Sequence, residues 1–465
     1  MKNLLIIGGS DAGISCGLRI KELNPAINVT ILLKDEYPNL SICGIPYAIG
    51  GEVTPWQKLA HRTLIDLQAT GLKFHMNTTV TAIQPDQHTV TAIETTTQTG
   101  KTYTYDQLLV ATGALPKLPP ITGLTTSNDH IQILHTMADY FAIESRLTSV
   151  KKVAIIGSGY IGLEIAEALV NRGLAVTIFQ RGSEVLSTFD PELGAKIHQS
   201  LTDHGVNVIT TARLAQVQPV DDQVQIQYAD QQIDQFDLVL VVTGVKPNSN
   251  LLSEAGAKVD DHGAVVVNDQ FQTSLPDIWA AGDLVATKHR LLGSTYLPLG
   301  TTSHKQGRVA GTNLAGQAAY FQGVVGTQVV KLFNLVAART GLTTVEAQVA
   351  GFKPFTWTST VDDHKAYIPG ARPMTIQIIG DRQTGQLLGA QLIGAYGSEV
   401  AKRNDVYATA IFNQATVAEV SDLDLSYSPP LGAPWDAIQA ATQAWELALI
   451  RDGQTTNQLL SEQQY

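Results

Sequence analysis

Val153-Ala-Ile-Ile-Gly157-Ser-Gly159-Tyr-Ile-Gly162 joins a short apolar run to a glycine turn, and a helical pattern then ends near Arg172–Gly173. The first glycine allows the tight turn, the second lets a pyrophosphate approach the backbone, and the third lets helix pack on sheet. Leu4 to Ile7, followed by Gly8, Gly9 and Gly13 and a helical pattern through Leu23, repeats the arrangement. Each copy returns to a β-rich run, Val29 to Leu33 and Ala175 to Phe179. A strand–helix–strand unit written twice predicts an α/β protein with two Rossmann-like dinucleotide-binding domains. In the first copy Ser10 stands where the middle glycine belongs, and it is small enough to keep the approach open.

The acid that binds a ribose belongs at the end of the next strand. In the first copy that place falls at Leu33-Lys34, with Asp35 and Glu36 just beyond. In the second it holds Gln180 and Arg181, a neutral residue and a cation. A guanidinium there can contact a 2′-phosphate, so NADPH is tolerated and slightly favoured over NADH.

Acidic residues outnumber basic ones by 42 to 31 in the 465 residues, for a formal charge of −11, and no basic run tracks a phosphate backbone. Nucleic acid is therefore not an expected partner. The two cysteines, Cys16 and Cys43, exclude a secreted disulfide framework and fit a reducing cytosol. The N-terminus has no signal-peptide pattern and no stretch is apolar for long enough to span a membrane, so the expectation is a cytoplasmic protein with no membrane partner.

Tyr105-Asp-Gln-Leu-Leu-Val-Ala-Thr112-Gly113 and Phe236-Asp-Leu-Val-Leu-Val-Val-Thr243-Gly244 each read as a buried strand closing on a Thr-Gly turn, where a chain passes between domains. After residue 325 the texture becomes mixed: β-rich stretches from Met374 to Ile379 and Leu387 to Ile393, then helical patterns near Gly397–Gln414 and Pro434–Arg451. The expected division is a discontinuous domain of residues 1–115 and 246–325, a second of 116–245, and a C-terminal α+β domain of 326–465. The polar tail from Gly453 to Tyr465 is expected to fray.

Taken with Ser41-Ile-Cys43-Gly-Ile-Pro46-Tyr47, Pro276-Asp277-Ile-Trp-Ala-Ala-Gly282-Asp283, Lys305-Gln306-Gly-Arg-Val-Ala-Gly311 and Ala338-Arg339-Thr-Gly-Leu, the chain resembles the two-dinucleotide flavoprotein disulfide reductases. Within them it is similar to the single-cysteine branch of coenzyme A-disulfide reductases, NADH oxidases and NADH peroxidases. The resemblance implies FAD in the first unit, NADPH or NADH in the second, and a C-terminal homodimer interface that completes the partner's site. Cofactor-binding residues on this reading are Gly8, Gly9, Ser10, Asp11, Ala12, Gly13, Asp35, Glu36 and Ser41 around the first unit. Gly157, Gly159, Tyr160, Ile161, Gly162, Gln180 and Arg181 follow in the second. Thr112, Gly113 and Gly244 lie at the Thr-Gly turns, with Gly282, Asp283, Leu299, Gly300 and Thr301 beyond them.

Cys43 precedes Gly44 and Pro46 in a segment expected to open a helix, whose dipole favours a thiolate. Dithiol members carry a second cysteine five positions on; here Ala48 stands there, and Cys16 reads as core. A single thiol beside a flavin can form a mixed disulfide, hold a persulfide, or cycle through sulfenic acid. Oxidases and peroxidases of the branch carry a His within the first glycine turn, whereas this chain has Asp11, which cannot act as that imidazole and disfavours a neighbouring thiolate.

Two loops, His364-Lys-Ala-Tyr367-Ile-Pro369-Gly370 and Leu425-Ser-Tyr427-Ser-Pro429-Pro430, resemble tyrosine loops that reach the partner's cysteine. Either phenol donates a proton to a leaving thiolate or simply packs at the interface. Arg19, Lys21, Arg62 and Lys73 are the cations in reach by sequence for coenzyme A phosphates. The 11 histidines are dispersed without metal-ligand spacing; His61 and His304 stand alone, and no metal is expected. The expected activity is an NAD(P)H:disulfide oxidoreductase acting through FAD and Cys43 on a small disulfide or persulfide. An oxidase delivering electrons to oxygen is the alternative, and a flavin-containing redox sensor is the reading from another class.

Overall fold

The computed structural model describes residues 2–229 and 231–462. The chain divides into two compact units, residues 1–153, 214–288 and 293–323 in one, and 154–213, 289–292 and 324–465 in the other.

A five-stranded parallel sheet organises the first unit, in the order Ile278–Ala280, Gln107–Val110, Asn3–Ile7, Asn28–Leu32, Leu72–His75. Its inner strands read as near-continuous apolar runs because helices and loops cover both faces, whereas the edge strand Leu72–His75 is half exposed. Register aligns Ile7 with Leu32 and Val110, and Val110 with Ala280. The segments leading to Gly8, Asp35, Gly113 and Asp283 consequently leave the sheet along one carboxyl edge, where open α/β sheets bind ligands.

Two helices, Asp11–Leu23 and Gly300–Leu314, pack on this sheet unit with backbones in close approach. A Cβ placed on Gly311 would come within 2.6 Å of the Cys16 carbonyl oxygen, and one on Gly307 would strike the Ala12 backbone. Cys16 is fully buried in that seam, and desolvation pushes its thiol far up, so it is inert core as the sequence suggested. Elsewhere in the unit Leu238–Val241 pairs parallel with Ile131–Ile133.

In the second unit, the glycine turn after Ile156 leads to the helix Tyr160–Asn171, and Ala175–Phe179 pairs parallel with Asn207–Ile209. The C-terminal part is a five-stranded antiparallel sheet, ordered Gln328–Leu332, Leu335–Gly341, Leu387–Ala395, Pro373–Asp381, Pro354–Asp362. Helices Val400–Phe412 and Ala437–Glu462 cover it, burying Tyr407, Ile411 and Trp445 against Met374, Ile376 and Ile378. The indole of Trp445 donates to the Phe355 carbonyl at 2.8 Å, which satisfies the one polar atom of an otherwise apolar contact. The last helix runs on through Gly453, where fraying was expected, to Glu462; residues 463–465 of that tail lie outside the described residues.

Candidate active site

The two glycine turns are built alike. Gly8 has φ +113° and Gly157 φ +109°, values that glycine adopts without strain. Each donates its N–H to the last residue of the following strand, Gly8 to Leu32 at 2.9 Å and Gly157 to Phe179 at 3.0 Å. Ser10 and Gly159 then cap the helices with extended backbone, and their carbonyls accept from Ile14 (2.9 Å) and Leu163 (3.0 Å). Gly9 is buried against Leu33, and Gly13 and Ala12 lie buried within the first helix. Gly162 is buried in the second, while Ile161 is exposed.

The residues fit dinucleotides. Gly113, Gly159 and Gly244 face open space, since a Cβ on any of them would meet nothing within 4 Å. At Gly159 the backbone is one that any residue adopts, so neither conformation nor packing within the chain calls for glycine there. A ligand approaching from outside does. Buried Asn39 Oδ1 and Ser158 Oγ lack hydrogen-bond partners among the described residues. Asn39 donates its N–H to Gly9 O at 3.0 Å and Ser158 lies inside the second turn, so both orphans sit at the turns.

Around the first turn, the Thr112 hydroxyl donates to Asn248 O at 2.7 Å. Gly282 N–H donates to Gln306 Oε1 at 2.8 Å. Asp283 accepts from Ser303 Oγ at 2.7 Å; burial raises its pKa and the charge of Asp11 adds to the rise. Leu299 caps the helix that starts at Gly300, and a Cβ on Gly300 would lie 3.0 Å from Asp11 Oδ2; Thr301 is exposed beside it. Asp35 accepts from Tyr37 N–H at 2.9 Å and is raised by burial, whereas Glu36 is exposed.

Around the second turn, the amide of Gln180 is committed to Glu184 O at 3.0 Å, leaving Arg181 as the exposed cation. Tyr160 accepts from Thr188 Oγ1 at 3.4 Å, and burial pushes its phenol up to about 12. Thr188 O in turn accepts from the buried Arg339, which also binds Gly341 O and Glu346, both at 2.6 Å. The Ala338-Arg339 motif thus anchors the segment under the second turn, a role that its sequence carried no sign of.

Cys43 is exposed in a single 3₁₀ turn, Ile42–Gly44, that runs into the short helix Ile45–Ile49. Ser41 caps that turn and donates its N–H to Leu59 O at 2.8 Å, while His61 N–H donates to Asn39 O at 3.0 Å. The cysteine turn is therefore laced to the 59–61 segment and, through Asn39, to the first glycine turn.

His61 and His304 do not stand alone, contrary to the sequence-based expectation. Their rings lie 6.5 Å apart, edge to face. His304 Nε2 is 3.4 Å from Asp11 Oδ1 and its Nδ1 is 2.7 Å from Ser15 Oγ. Burial raises the Asp11 pKa, and the two histidines oppose that rise. A separation of 243 positions between the two histidines hides this pairing from any local pattern.

The cations split similarly. Arg19 binds Glu22 and Thr312, and Lys21 binds Ile27 O at 2.6 Å, both about 12 Å or more along the helix from Asp11. Lys73 faces Lys21. Arg62, next to His61, lies on the segment tied to the cysteine turn.

In the second unit Tyr367 and Tyr427 come together and are both exposed. What burial it has and a hydrogen bond with Tyr367 raise the Tyr427 phenol. Lys365 N–H donates to Pro429 O at 3.3 Å, tying the two loops. Beneath them Arg403 binds Asp436 at 2.9 Å and Asp363 O at 2.8 Å.

The sequence profile described as pyridine nucleotide-disulphide oxidoreductase matches residues 2–307, and that of the family's dimerisation domain matches residues 327–437. The chain belongs to the pyridine nucleotide-disulphide oxidoreductase family. It is similar to an NAD(P)H sulfur oxidoreductase (CoA-dependent) of Pyrococcus abyssi, 34% identical over 94% of this chain and 96% of that one. An NADH oxidase of Methanocaldococcus jannaschii is 30% identical over 94% and 97% of the two chains. Among solved structures, a NAD-dependent persulfide reductase from A. fulgidus superposes with a TM-score of 0.92 and 32% identity, covering 97% of this chain and 84% of that one. The family, the α/β fold with its dimerisation domain, and the class of enzyme, an FAD- and NAD(P)H-dependent oxidoreductase, are those expected from the sequence. No helix among the described residues is long and apolar enough to cross a membrane.

Proposed function

We propose that this oxidoreductase is a cytoplasmic homodimer that reduces the disulfide or persulfide of a small thiol, coenzyme A being the leading candidate, through Cys43. The observation that carries the reading is the exposed Cys43 in a turn whose leading segment, at Asn39, is hydrogen-bonded to the first glycine turn. The P. abyssi and A. fulgidus relatives, by their names, act on sulfur compounds and favour the same class of acceptor.

The residues that would hold FAD are Gly8 to Gly13, Asp35, Thr112, Gly113 and Asp283, and those for NAD(P)H are Gly157 to Gly162, with Arg181 receiving a 2′-phosphate. Bound FAD supplies the two-electron link between nicotinamide and thiol. The chain's own part is to present Cys43 for attack on the disulfide, forming a mixed disulfide and expelling one thiolate. Tyr427, steadied by Tyr367 and by Pro429 and Pro430, reaches the partner's Cys43 in the dimer and donates a proton to a departing thiolate. An oxidase is the second reading, favoured by the M. jannaschii relative.

Anaerobic titration tests the proposal. NAD(P)H should bleach the flavin absorbance, and added coenzyme A disulfide should restore it in the wild type but not in Cys43→Ser. Restoration in both proteins would overturn the role of Cys43.

A further inference from the structure

The two tyrosine loops carry exposed phenols on buried polar bases. Tyr367 and Tyr427 are 67% and 46% exposed, and the loops meet near their tips in the contact between the phenols and in the hydrogen bond from Lys365 N–H to Pro429 O. The first loop joins the strands Pro354–Asp362 and Pro373–Asp381, and Asp363 closes it on Arg372 twice. Its N–H donates to the Arg372 carbonyl and its carboxylate accepts from the Arg372 N–H, each at 3.0 Å. The second loop leads into the helix Ala437–Glu462, which Asp436 caps by accepting from Ile438 N–H at 3.0 Å. Gln439 closes this loop, since its amide donates back to the carbonyls of Ser421 and Leu423 at 3.1 and 2.8 Å and its oxygen accepts from Asp436 N–H at 3.2 Å.

One buried guanidinium spans the two bases. Arg403, on the helix Val400–Phe412, forks onto the Asp436 carboxylate through Nε at 3.1 Å and Nη2 at 2.9 Å. Nη2 also donates to Asp363 O and Nη1 to Ser398 O, both at 2.8 Å. Ser398 Oγ completes the ring by donating to Asp363 Oδ2 at 2.6 Å, and His364 Nδ1 lies 2.8 Å from the other carboxylate oxygen. A buried ion pair gains little stability over apolar side chains of the same volume, because desolvation offsets the attraction. What the planar fork does supply is direction: its N–H groups, in fixed geometry, hold the two loop bases at one spacing.

We propose that Arg403 is a positioning residue, which by joining Asp363 to Asp436 sets the spacing of the two loops and so the contact with Tyr367 from which the Tyr427 phenol acts. Its role rests on the reading of Tyr427 as proton donor and adds what aims that phenol.

The test is a double-mutant cycle of Arg403→Lys and Tyr427→Phe, read as steady-state turnover of coenzyme A disulfide by the FAD-loaded enzyme. Lysine keeps the charge but cannot fork. Arg403→Lys should lower kcat about tenfold, as displacement of a catalytic group does, and by no more than Tyr427→Phe does. KM for NAD(P)H and anaerobic bleaching of the flavin by NAD(P)H should stay as in wild type. In the Tyr427→Phe background Arg403→Lys should lower kcat no further, because both changes remove the action of one group. If Arg403→Lys fails to fold, Ser398→Ala, which removes one hydroxyl from the same ring, takes its place in the cycle with a smaller loss. Losses that multiply in the double variant would mean that the ring only stabilises the domain, and they would overturn the proposal, as would wild-type kcat in both ring variants. Wild-type turnover in Tyr427→Phe alone would sink the reading of Tyr427 beneath it.

Discussion

The two glycine turns share one backbone and differ at four of their six positions, two of which set their surroundings apart. The residue that caps the helix is Ser10 in the first and Gly159 in the second, yet both are extended and open outward. Departure from the G-x-G-x-x-G pattern at Ser10 therefore costs the fold nothing, because glycine at that place answers to the ligand and not to the chain. The next position is where the turns specialise. Asp11 enters a charged cluster with Ser15 and His304, whereas Tyr160 is drawn into a neutral contact above Arg339. One turn carries a charged cluster, the other rests on the sheet of the dimerisation domain.

Alanine at Gly8 should give the largest effect, because φ +113° is strained for alanine and its Cβ would collide with the Ala111 backbone. A loss of about 3 kcal/mol in chemical denaturation, with loss of FAD, is expected. Gly159→Ala should leave stability within about 0.5 kcal/mol and raise KM for NAD(P)H instead. Equal destabilisation by the two variants would break the comparison.

Next come the residues proposed for the disulfide step. Tyr427→Phe should lower disulfide turnover at least tenfold with FAD content, dimerisation and flavin reduction intact, and Tyr367→Phe should lower it less. Wild-type turnover in a dimeric, flavin-loaded Tyr427→Phe protein would mean that the phenol only packs. Arg181→Ala should lower kcat/KM for NADPH about tenfold relative to NADH, the value of a charge-assisted contact. An unchanged ratio would show Arg181 pointing elsewhere. The smallest effect belongs to Ser10→Gly, which should move stability by no more than about 0.5 kcal/mol; a larger shift would mean that Ser10 does more than fill the turn.

Much of this was legible where the governing contacts are local. The glycine turns, the apolar parallel strands and the helix Asp11–Leu23 follow from patterns within about 25 residues, and the helix end at Leu23 fell where the periodicity stopped. Cys16 read correctly as core from its place in the first Rossmann-like helix. What escaped was long-range. His61 meets His304 only because the sheet edge and the helical seam bring them together, and Arg339 meets Thr188 across 151 positions. Arg19 and Lys21 show the same limit from the other side, since the rise of their helix sets them about 12 Å or more from Asp11 although they are near it in sequence.

The central claim is that the first turn's region, through Cys43, sets the electron acceptor. Steady-state oxidation of NAD(P)H with either coenzyme A disulfide or oxygen as sole acceptor, in wild type and in Cys43→Ser loaded with FAD, tests it most directly. The account predicts fast turnover with the disulfide that Cys43→Ser abolishes, and slow turnover with oxygen. Fast turnover on oxygen alone, with disulfide-linked oxidation unchanged in Cys43→Ser, would contradict it.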